Sequence, residues 1–319
     1  MLRSFFIYLS KASWARKLVT GWSLAWRMAS RFVSGETLGD AIQAIKALND
    51  KNINATLDHL GEHTDSPELA QQATADIIQA LDAIQNSGVR ANVSLKLTQI
   101  GLGISPEHCA ENLERIVEHA SKLNNFVRVD MEDSPVTQIT LDILRKIHQK
   151  GYGNVGIVIQ AYLYRSEQDI RDLLTDCIPV RLCKGAYKEP AKVAFPKKRD
   201  VDANFDKCGS ILMDMAKANG CKPVSVDGRF PPIPGLATHD DKRIQYVKEY
   251  AQKIELPNNG LEFQMLFGIR REQQEQLAKE GYPVRIYVPY GTQWYPYYMR
   301  RLAERPANVW FIVSNFFRK

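Results

Sequence analysis

Short apolar runs alternate with longer amphipathic stretches along most of the chain. The runs are rich in Val, Ile and Leu, a pattern typical of strands buried in a parallel sheet. The stretches between them repeat apolar residues every three or four positions, which predicts helices that pack on one face. The predicted strands are residues 53–60, 92–97, 127–131, 156–162, 180–183, 233–238, 261–266 and 284–288. The predicted helices are residues 67–86, 106–123, 136–150, 166–175, 202–219, 242–254 and 271–280, with an earlier helix that ends near Asn52.

This alternation determines the predicted fold class. Eight strand-then-helix units in about 265 residues match an α/β (βα)8 TIM-type barrel in number, order and length. We therefore predict a helical segment over residues 1–52, the barrel over residues 53–310 and an apolar tail over residues 311–319. A doubly wound sheet is the alternative, but the chain has neither the GxGxxG nor the GxxxxGK[ST] pattern that such folds often carry.

Composition limits the classes of protein that the chain can represent. It is 45% hydrophobic and 24% charged, as expected of a globular protein, and no apolar run approaches the roughly 18 to 20 residues that cross a bilayer. The five cysteines are scattered, without a CxxC pair. This argues against a disulfide framework and a structural zinc site, and predicts a reducing, cytoplasmic location.

The net charge of +6 lies entirely in residues 1–35, which carry six basic residues and no acidic residue. Aromatic residues, among them Trp14, Trp22 and Trp26, are interspersed with the basic ones. Basic amphipathic helices with aromatic residues bind membrane surfaces, so peripheral contact with the inner face of the cell membrane is one hypothesis. The alternative is that these aromatic residues pack on the body of the protein. Nucleic-acid binding is disfavoured because the rest of the chain is neutral and lacks a recognisable motif.

The segment 285–304 combines a predicted strand, a turn at residues 289–291 and a helix that Pro296 can begin. On that helix Tyr297, Arg300 and Arg301 are three or four positions apart, so they can converge on one face. Paired guanidinium groups suit a carboxylate or a phosphate. The alternative is a solvated basic turn in which Glu304 pairs with Arg300.

Polar residues follow or end nearly every predicted strand. In a barrel of this type such residues face the active site. The segment from Arg181 to Tyr187 places two cations and a glycine at a strand end, where backbone amides can approach a pyrophosphate. Lys96 could instead be a structural lysine paired with Asp130. The strand-end residues are Asp58, Glu62, Lys96, Asp130, Glu132, Gln160, Tyr162, Arg181, Lys184, Tyr187, Thr238, His239, Asp240, Glu262, Gln264 and Tyr287.

One motif suggests a metal site. Residues 59–63 fit H-x-x-E-H, which on a helix would place two imidazoles for zinc. Here the motif lies at a strand exit, and Gly61 within it disfavours a helix. We therefore predict no metal site.

Six motifs together resemble the proline dehydrogenase family in its compact monofunctional bacterial form, and they occur in the family's order over about residues 54–310. They are residues 92–97 (NVSLKL), 129–132 (VDME), 159–162 (IQAY), 181–187 (RLCKGAY), 237–240 (ATHD) and 287–304. The resemblance implies a distorted (βα)8 barrel that holds FAD and oxidises L-proline to Δ1-pyrroline-5-carboxylate, the first step of proline catabolism to glutamate. It also implies that the electrons pass to a membrane quinone.

The resemblance also implies roles for individual residues. Arg300, Arg301 and Lys96 match the positions that bind the substrate carboxylate, and Asp130 matches the acid that orients Tyr287 and Lys96. The walls around the substrate ring match Tyr287, Tyr297 and Leu182. Glu62 matches a gating position, and the helix of residues 296–305 would be a lid. The expected FAD contacts are Gln160, Arg181, Lys184, Gly185, Ala186, Tyr187, Thr238 and His239.

Two other interpretations remain open at this level. In the first, the chain is a barrel lyase or isomerase in which Lys96 or Lys184 forms a Schiff base and the arginines hold phosphate. In the second, the N-terminal helices and the apolar tail form a membrane scaffold and the barrel has no activity.

Overall fold

Eight parallel strands form a closed barrel in the computed structural model, which describes residues 8–9, 12, 23–61, 63–218, 220 and 222–304. Strands β1 to β8 are Asn54–His59, Ala91–Leu95, Val127–Val129, Val155–Gln160, Val180–Cys183, Pro234–Ala237, Glu262–Leu266 and Val284–Tyr290. Each strand pairs with the next one along the chain, and β8 pairs with β1. The predicted (βα)8 barrel is therefore confirmed.

Helices surround the barrel and also precede it. Helices α1 to α10 are Ser23–Ala29, Leu38–Asn49, Pro67–Ser87, Pro106–Lys122, Ser134–Gln149, Ser166–Thr175, Lys198–Ala218, Asp241–Lys253, Arg271–Lys279 and Trp294–Glu304. Short 3-10 turns add Leu97–Ile100 and Asn258–Gly260. The division of the chain into residues 1–52, 53–310 and 311–319 stays a prediction, and the last of these segments lies outside the described residues.

Local sequence signals explain where many of the helices begin and end. Ser66 caps the start of α3 by accepting a hydrogen bond from the backbone of Leu69, and Pro67 occupies the first turn. The same helix ends at Gly88, whose φ of 66° is left-handed and favours glycine. Such caps are readable from sequence, which explains why most predicted helix ends lie within two residues of the observed ones.

Two apolar cores hold these elements in place. The larger one lies between the strands and the surrounding helices, and contains residues such as Leu57, Val93 and Ile157. The smaller one joins α1 to α10, the helix that follows the last strand. In it the rings of Trp26 and Trp294 lie 5.4 Å apart. Trp26 therefore packs on the body of the protein, whereas Trp14 and Trp22 lie outside the described residues.

Within the described ranges, no helix combines the length and apolar character needed to cross a membrane.

The junction between β8 and α10 differs from the sequence prediction. The strand continues through Pro289 to Tyr290, because the carbonyl of Pro289 accepts a hydrogen bond from the Ser34 backbone at 2.9 Å and that of Tyr290 accepts one from Leu60 at 2.8 Å. Both contacts come from distant parts of the chain, so the predicted turn at residues 289–291 was placed too early. Helix α10 begins at Trp294, and Pro296 lies in its first turn rather than opening it.

Gly156 in β4 provides a stability test of the barrel packing. A Cβ atom at this position would lie 2.5 Å from the Pro179 carbonyl oxygen and 2.7 Å from Nη1 of Arg128, which is fully buried. We expect Gly156→Ala to lower the free energy of unfolding by about 1–3 kcal/mol, because neither neighbour can move easily. Urea unfolding followed by circular dichroism measures this change. Gly153→Ala is the matched control, since a Cβ there meets nothing within 4 Å. Equal unfolding midpoints for the two variants would contradict the prediction.

Candidate active site

A cavity of about 560 Å³ opens at the carboxyl end of the barrel. It gathers fourteen of the sixteen residues to which the resemblance assigned a role in the site. Glu62 lies outside the described residues. Leu182 is fully buried and does not belong to the cavity wall; its Cδ2 would lie 3.9 Å from a Cβ built on Gly209 of α7, among the surrounding helices. The predicted residues that line the cavity are Lys96, Asp130, Gln160, Arg181, Lys184, Gly185, Ala186, Tyr187, Thr238, His239, Tyr287, Tyr297, Arg300 and Arg301.

Asp130, just after β3, connects several strand ends through its carboxylate. Its Oδ2 accepts a hydrogen bond from the Tyr287 hydroxyl at 2.7 Å. Its Oδ1 accepts from Ser94 at 2.6 Å and from Nη1 of Arg181 at 3.1 Å. Nζ of Lys96 lies 3.9 Å from Oδ2. The contact with Tyr287 that the resemblance implied is therefore present, and Lys96 lies close by; the functional role of Asp130 stays a prediction.

The hydroxyl of Tyr287 is kept protonated by this arrangement. Burial raises the pKa of Tyr287 well above its ordinary value, and the negative charges of Asp130 and Asp58 raise it further. A tyrosine with a raised pKa remains a neutral hydrogen-bond donor at physiological pH. Tyr287 can therefore form part of the cavity wall while it donates to Asp130.

A chain of buried polar groups in the barrel interior holds Arg181 of β5 in place. Its Nε donates to Oε1 of Gln264, and its Nη2 donates to Thr56 at 3.2 Å. Gln264 in turn donates to Glu262 at 2.6 Å, and Glu262 forms a buried ion pair with Arg285 at 2.8 Å. Each guanidinium donor that is satisfied in this way restricts the rotation of Arg181. Its charge is thereby held at the floor of the cavity.

The position of Glu262 corrects one expectation from sequence. Glu262 begins β7, and its side chain is fully buried in the barrel interior against Arg285, so it does not reach the cavity. Gln264, two residues further along the same strand, does line the cavity. Because side chains two residues apart share a face of the strand, both point into the barrel, but only the one nearer the carboxyl end reaches the site.

Helix α10 brings two arginines and a phenol to the cavity wall. Tyr297, Arg300 and Arg301 all line it. The guanidinium of Arg301 lies over the ring of Tyr297, 5.0 Å from its centroid, and only 8% of Arg301 is exposed. The solvated basic turn is therefore excluded for Arg301, and the convergence expected from the helical spacing is confirmed.

The loop after β5 is attached to β4 through Gln160. The side-chain oxygen of Gln160 accepts from the Ala186 backbone at 3.0 Å, and its amide donates to the Glu132 carbonyl at 2.8 Å. Gly185 has a φ of 126°, and a Cβ there would lie 2.5 Å from the ring of Tyr162. Only glycine fits this position, because both the backbone conformation and the neighbouring ring exclude a side chain.

Lys184 lies between two carboxylates at the edge of the cavity. Its Nζ is 2.5 Å from Asp202 and 2.7 Å from Asp240. Partial burial acts to raise the pKa of Asp240, but the hydrogen bond and charge of Lys184, with a smaller effect of Lys198, lower that pKa to about 2. Asp240 is thus ionised and holds Lys184 in place. Asp202 was not predicted as a site neighbour, since it lies in α7, distant in sequence from any strand end.

The hydrogen bonds of His239 define its neutral tautomer. Its Nε2 accepts a hydrogen bond from the Leu266 backbone at 3.0 Å, so this nitrogen carries no proton. In a neutral imidazole the proton then lies on Nδ1, which becomes a donor. His239 and Thr238 therefore add polar groups to the cavity wall after β6.

Comparison with known proteins places this site in a family. The family model described as proline dehydrogenase matches residues 41–314. The chain belongs to the proline dehydrogenase family. It is 40% identical to proline dehydrogenase 2 of Bacillus subtilis over 317 residues, which cover 99% of both chains. It is also 40% identical to the proline dehydrogenase of Deinococcus radiodurans, over 92% of this chain and 91% of that one.

A solved structure shares the fold. Proline utilization A from Bdellovibrio bacteriovorus, inactivated by N-propargylglycine, matches with a TM-score of 0.78 and 26% identity over 88% of this chain. The match covers 33% of that larger chain. The chain is therefore an oxidoreductase of the proline dehydrogenase family. This result argues against the two other interpretations, a Schiff-base lyase or isomerase and a membrane scaffold with an inactive barrel.

Proposed function

We propose that the chain oxidises L-proline to Δ1-pyrroline-5-carboxylate with bound FAD and passes the electrons to a quinone, as the first step of proline catabolism. The observation that carries this proposal is the convergence of Lys96, Arg300 and Arg301 on the cavity where Tyr287 donates to Asp130. In a proline dehydrogenase, these cations would bind the carboxylate of the substrate, and the tyrosine rings would contact its five-membered ring.

The three cations form the proposed carboxylate clamp, defined as Lys96, Arg300 and Arg301. Arginine offers two parallel donors to a carboxylate, and a charge-assisted pair is about twice as strong as a neutral one. Tyr287 and Tyr297 would contact the two sides of the ring. Because all these groups are held by the barrel and by α10, the substrate would bind in one orientation.

The residues on the remaining walls suit FAD. Lys184 and the backbone amides of the loop at Gly185 offer positive charge and donors for a diphosphate. Arg181 and the Nδ1 proton of His239 offer donors for the oxygen and nitrogen atoms of a flavin ring, and Gln160 holds the loop at Ala186 that borders the cavity. When bound, FAD would supply the acceptor for the hydride that leaves the ring carbon beside the proline nitrogen.

The protein's own contribution to the reaction is binding, orientation and charge. Hydride leaves most readily from carbon beside a neutral nitrogen, so productive binding requires proline with a deprotonated amine. The raised pKa of Tyr287 makes this residue a donor and a wall rather than a base. We assign the amine proton to solvent, and the Tyr287–Asp130 pair to the orientation of the ring.

The quinone step gives the basic N-terminal segment a proposed role. Residues 1–35 carry the whole net charge of the chain, and such segments are attracted to anionic lipid surfaces. We propose peripheral contact with the cytoplasmic face of the membrane, where a quinone acceptor is accessible.

An anaerobic visible spectrum before and after addition of L-proline tests the proposed reaction. We expect flavin absorption bands that bleach with proline and return when a soluble quinone is added. The control ligand is cyclopentanecarboxylate, which has the same ring size and carboxylate but no amine, so it should bind without bleaching. A protein without flavin bands, even after FAD is supplied, would contradict the proposal. Bleaching that no quinone reverses would contradict the acceptor alone.

A further inference from the structure

Asp58 is a buried carboxylate close to Lys96 of the clamp. It lies near the end of β1, its exposed fraction is 0%, and its Oδ1 is 3.8 Å from Nζ of Lys96. Within the described parts of the chain, neither of its carboxylate oxygens meets a donor with good hydrogen-bond geometry. No role for Asp58 follows from the chemistry proposed so far, since it does not line the cavity.

A carboxylate in this position is costly to the fold. Removing an ionised group from water carries a large penalty, which hydrogen bonds and a close opposite charge normally offset. Asp58 has the opposite charge of Lys96 nearby, and its pKa is also lowered by the Tyr287 hydroxyl, whose 2.7 Å hydrogen bond goes to Asp130. An uncharged side chain of similar size would avoid that penalty. The presence of an acidic residue here therefore indicates that its charge has a function.

The titratable groups around Asp58 come from four strands or strand ends. Lys96 follows β2, Asp130 follows β3, and Tyr287 and Tyr290 extend from β8, while His59 adjoins Asp58 on β1. Burial raises the pKa of Asp58; the positive charge of Lys96 opposes this effect, and the charge of Asp130 adds to it. Lys96 is thus the main compensating cation for Asp58, and it faces two carboxylates at 3.8 and 3.9 Å.

We propose that Asp58 is a positioning residue: its buried carboxylate keeps the ammonium of Lys96 charged and directed towards the substrate carboxylate. This inference rests on the proposed role of Lys96 in the clamp. Asp130 cannot replace Asp58 in this function, because its oxygens already accept hydrogen bonds from Tyr287, Ser94 and Arg181. The Tyr287 hydroxyl, which donates to Asp130, also lowers the pKa of Asp58, but the positive charge of Lys96 has the larger effect on that carboxyl.

The test variant is Asp58→Asn, which keeps the shape of the side chain and removes its charge. Calorimetry measures the affinity for cyclopentanecarboxylate between about pH 6 and about pH 10, a range in which the ligand charge is constant. In the wild type, affinity should persist until Lys96 loses its proton at alkaline pH. In Asp58→Asn the loss should begin at least about one pH unit lower, because an opposite charge within 4–6 Å has been removed. At neutral pH we expect an affinity about tenfold weaker.

The direction of the acid-side effect follows from the raised pKa of Asp58. As the pH falls, the wild-type carboxyl takes up a proton and loses its charge, so the wild type should approach the variant. The difference in affinity between the two proteins should therefore be largest at neutral to alkaline pH and should shrink towards acid pH.

Asp76→Asn is the matched control. Asp76 lies on α3, is 28% exposed at its side chain and pairs with His59 at 3.5 Å, so the variant removes one carboxylate near the same strand end. Its pH profile should match that of the wild type. Asp58→Ser provides a second uncharged variant in case the asparagine does not fold. Lys96→Arg should abolish the alkaline loss, because arginine stays charged throughout.

Each result leads to a definite conclusion. Profiles of Asp58→Asn or Asp58→Ser that superimpose on the wild type would overturn the role of Asp58, as would an alkaline loss that persists in Lys96→Arg. A wild-type protein that does not bind cyclopentanecarboxylate at any pH would instead refute the clamp, and with it the proposed function. The two proposals can therefore fail separately.

Discussion

Replacing Arg301 with methionine is expected to lower kcat/KM for L-proline by about 10²- to 10³-fold while the protein retains its flavin. Arg301 is 8% exposed and lies over the ring of Tyr297, so it is held in place before the substrate arrives. Loss of one partner of a buried charged pair costs about 2–5 kcal/mol, and about 1.4 kcal/mol corresponds to a factor of ten. Steady-state kinetics together with the flavin absorbance of the purified protein measure both parts of the prediction.

A matched control separates the clamp from a general effect of arginine loss. Arg271 lies outside the cavity, with its guanidinium 5.8 Å from the ring of Phe267. Arg271→Met removes the same charge and the same kind of ring contact, so its kcat/KM should stay within about twofold of the wild type, as for most surface changes. Loss of flavin from Arg301→Met would contradict the prediction, because it would give Arg301 a cofactor or folding role.

Replacing Asp130 with alanine is expected to affect both stability and catalysis. The carboxylate accepts hydrogen bonds from Tyr287, Ser94 and Arg181, so its removal leaves three donors without their partner and Arg181 without its anion. We expect the free energy of unfolding to fall by about 3–5 kcal/mol, the usual cost of removing one partner of a buried pair. We also expect kcat/KM to fall by at least about 10³-fold, since Tyr287 and Arg181 would lose their orientation.

Urea unfolding and proline turnover measure the two effects of the Asp130 change. The control is Asp142→Ala on α5, where the carboxylate accepts an exposed hydrogen bond from Gln138 at 2.8 Å. Its unfolding free energy should change by no more than about 0.5 kcal/mol. The loss of unfolding free energy in Asp130→Asn should lie between those of Asp130→Ala and Asp142→Ala, because asparagine keeps one acceptor oxygen but not the charge. An Asp130→Ala protein with wild-type stability and turnover would refute the idea that Asp130 organises the site.

The order and type of the elements could be predicted because they depend on local patterns. Runs of Val, Ile and Leu predict buried strands wherever they occur, and residues such as Ser66, Pro67 and Gly88 mark helix ends through contacts within a few positions. The count of eight units then indicates a barrel. The convergence of Tyr297, Arg300 and Arg301 also follows from helical spacing alone.

The sequence by itself therefore determined the fold class, the family and most of the polar cavity wall, because periodicity, caps and ordered motifs are properties of neighbouring residues. Tertiary structure alone decided which polar side chains the barrel buries and where. Asp58 and Glu262 both appeared as strand-end acids, yet Asp58 lies fully buried 3.8 Å from Lys96 and Glu262 forms a buried ion pair with Arg285. Burial and partners depend on the register of adjacent strands, which residues distant in sequence provide. The same reason explains why β8 continues to Tyr290 and why Leu182 lies outside the cavity wall.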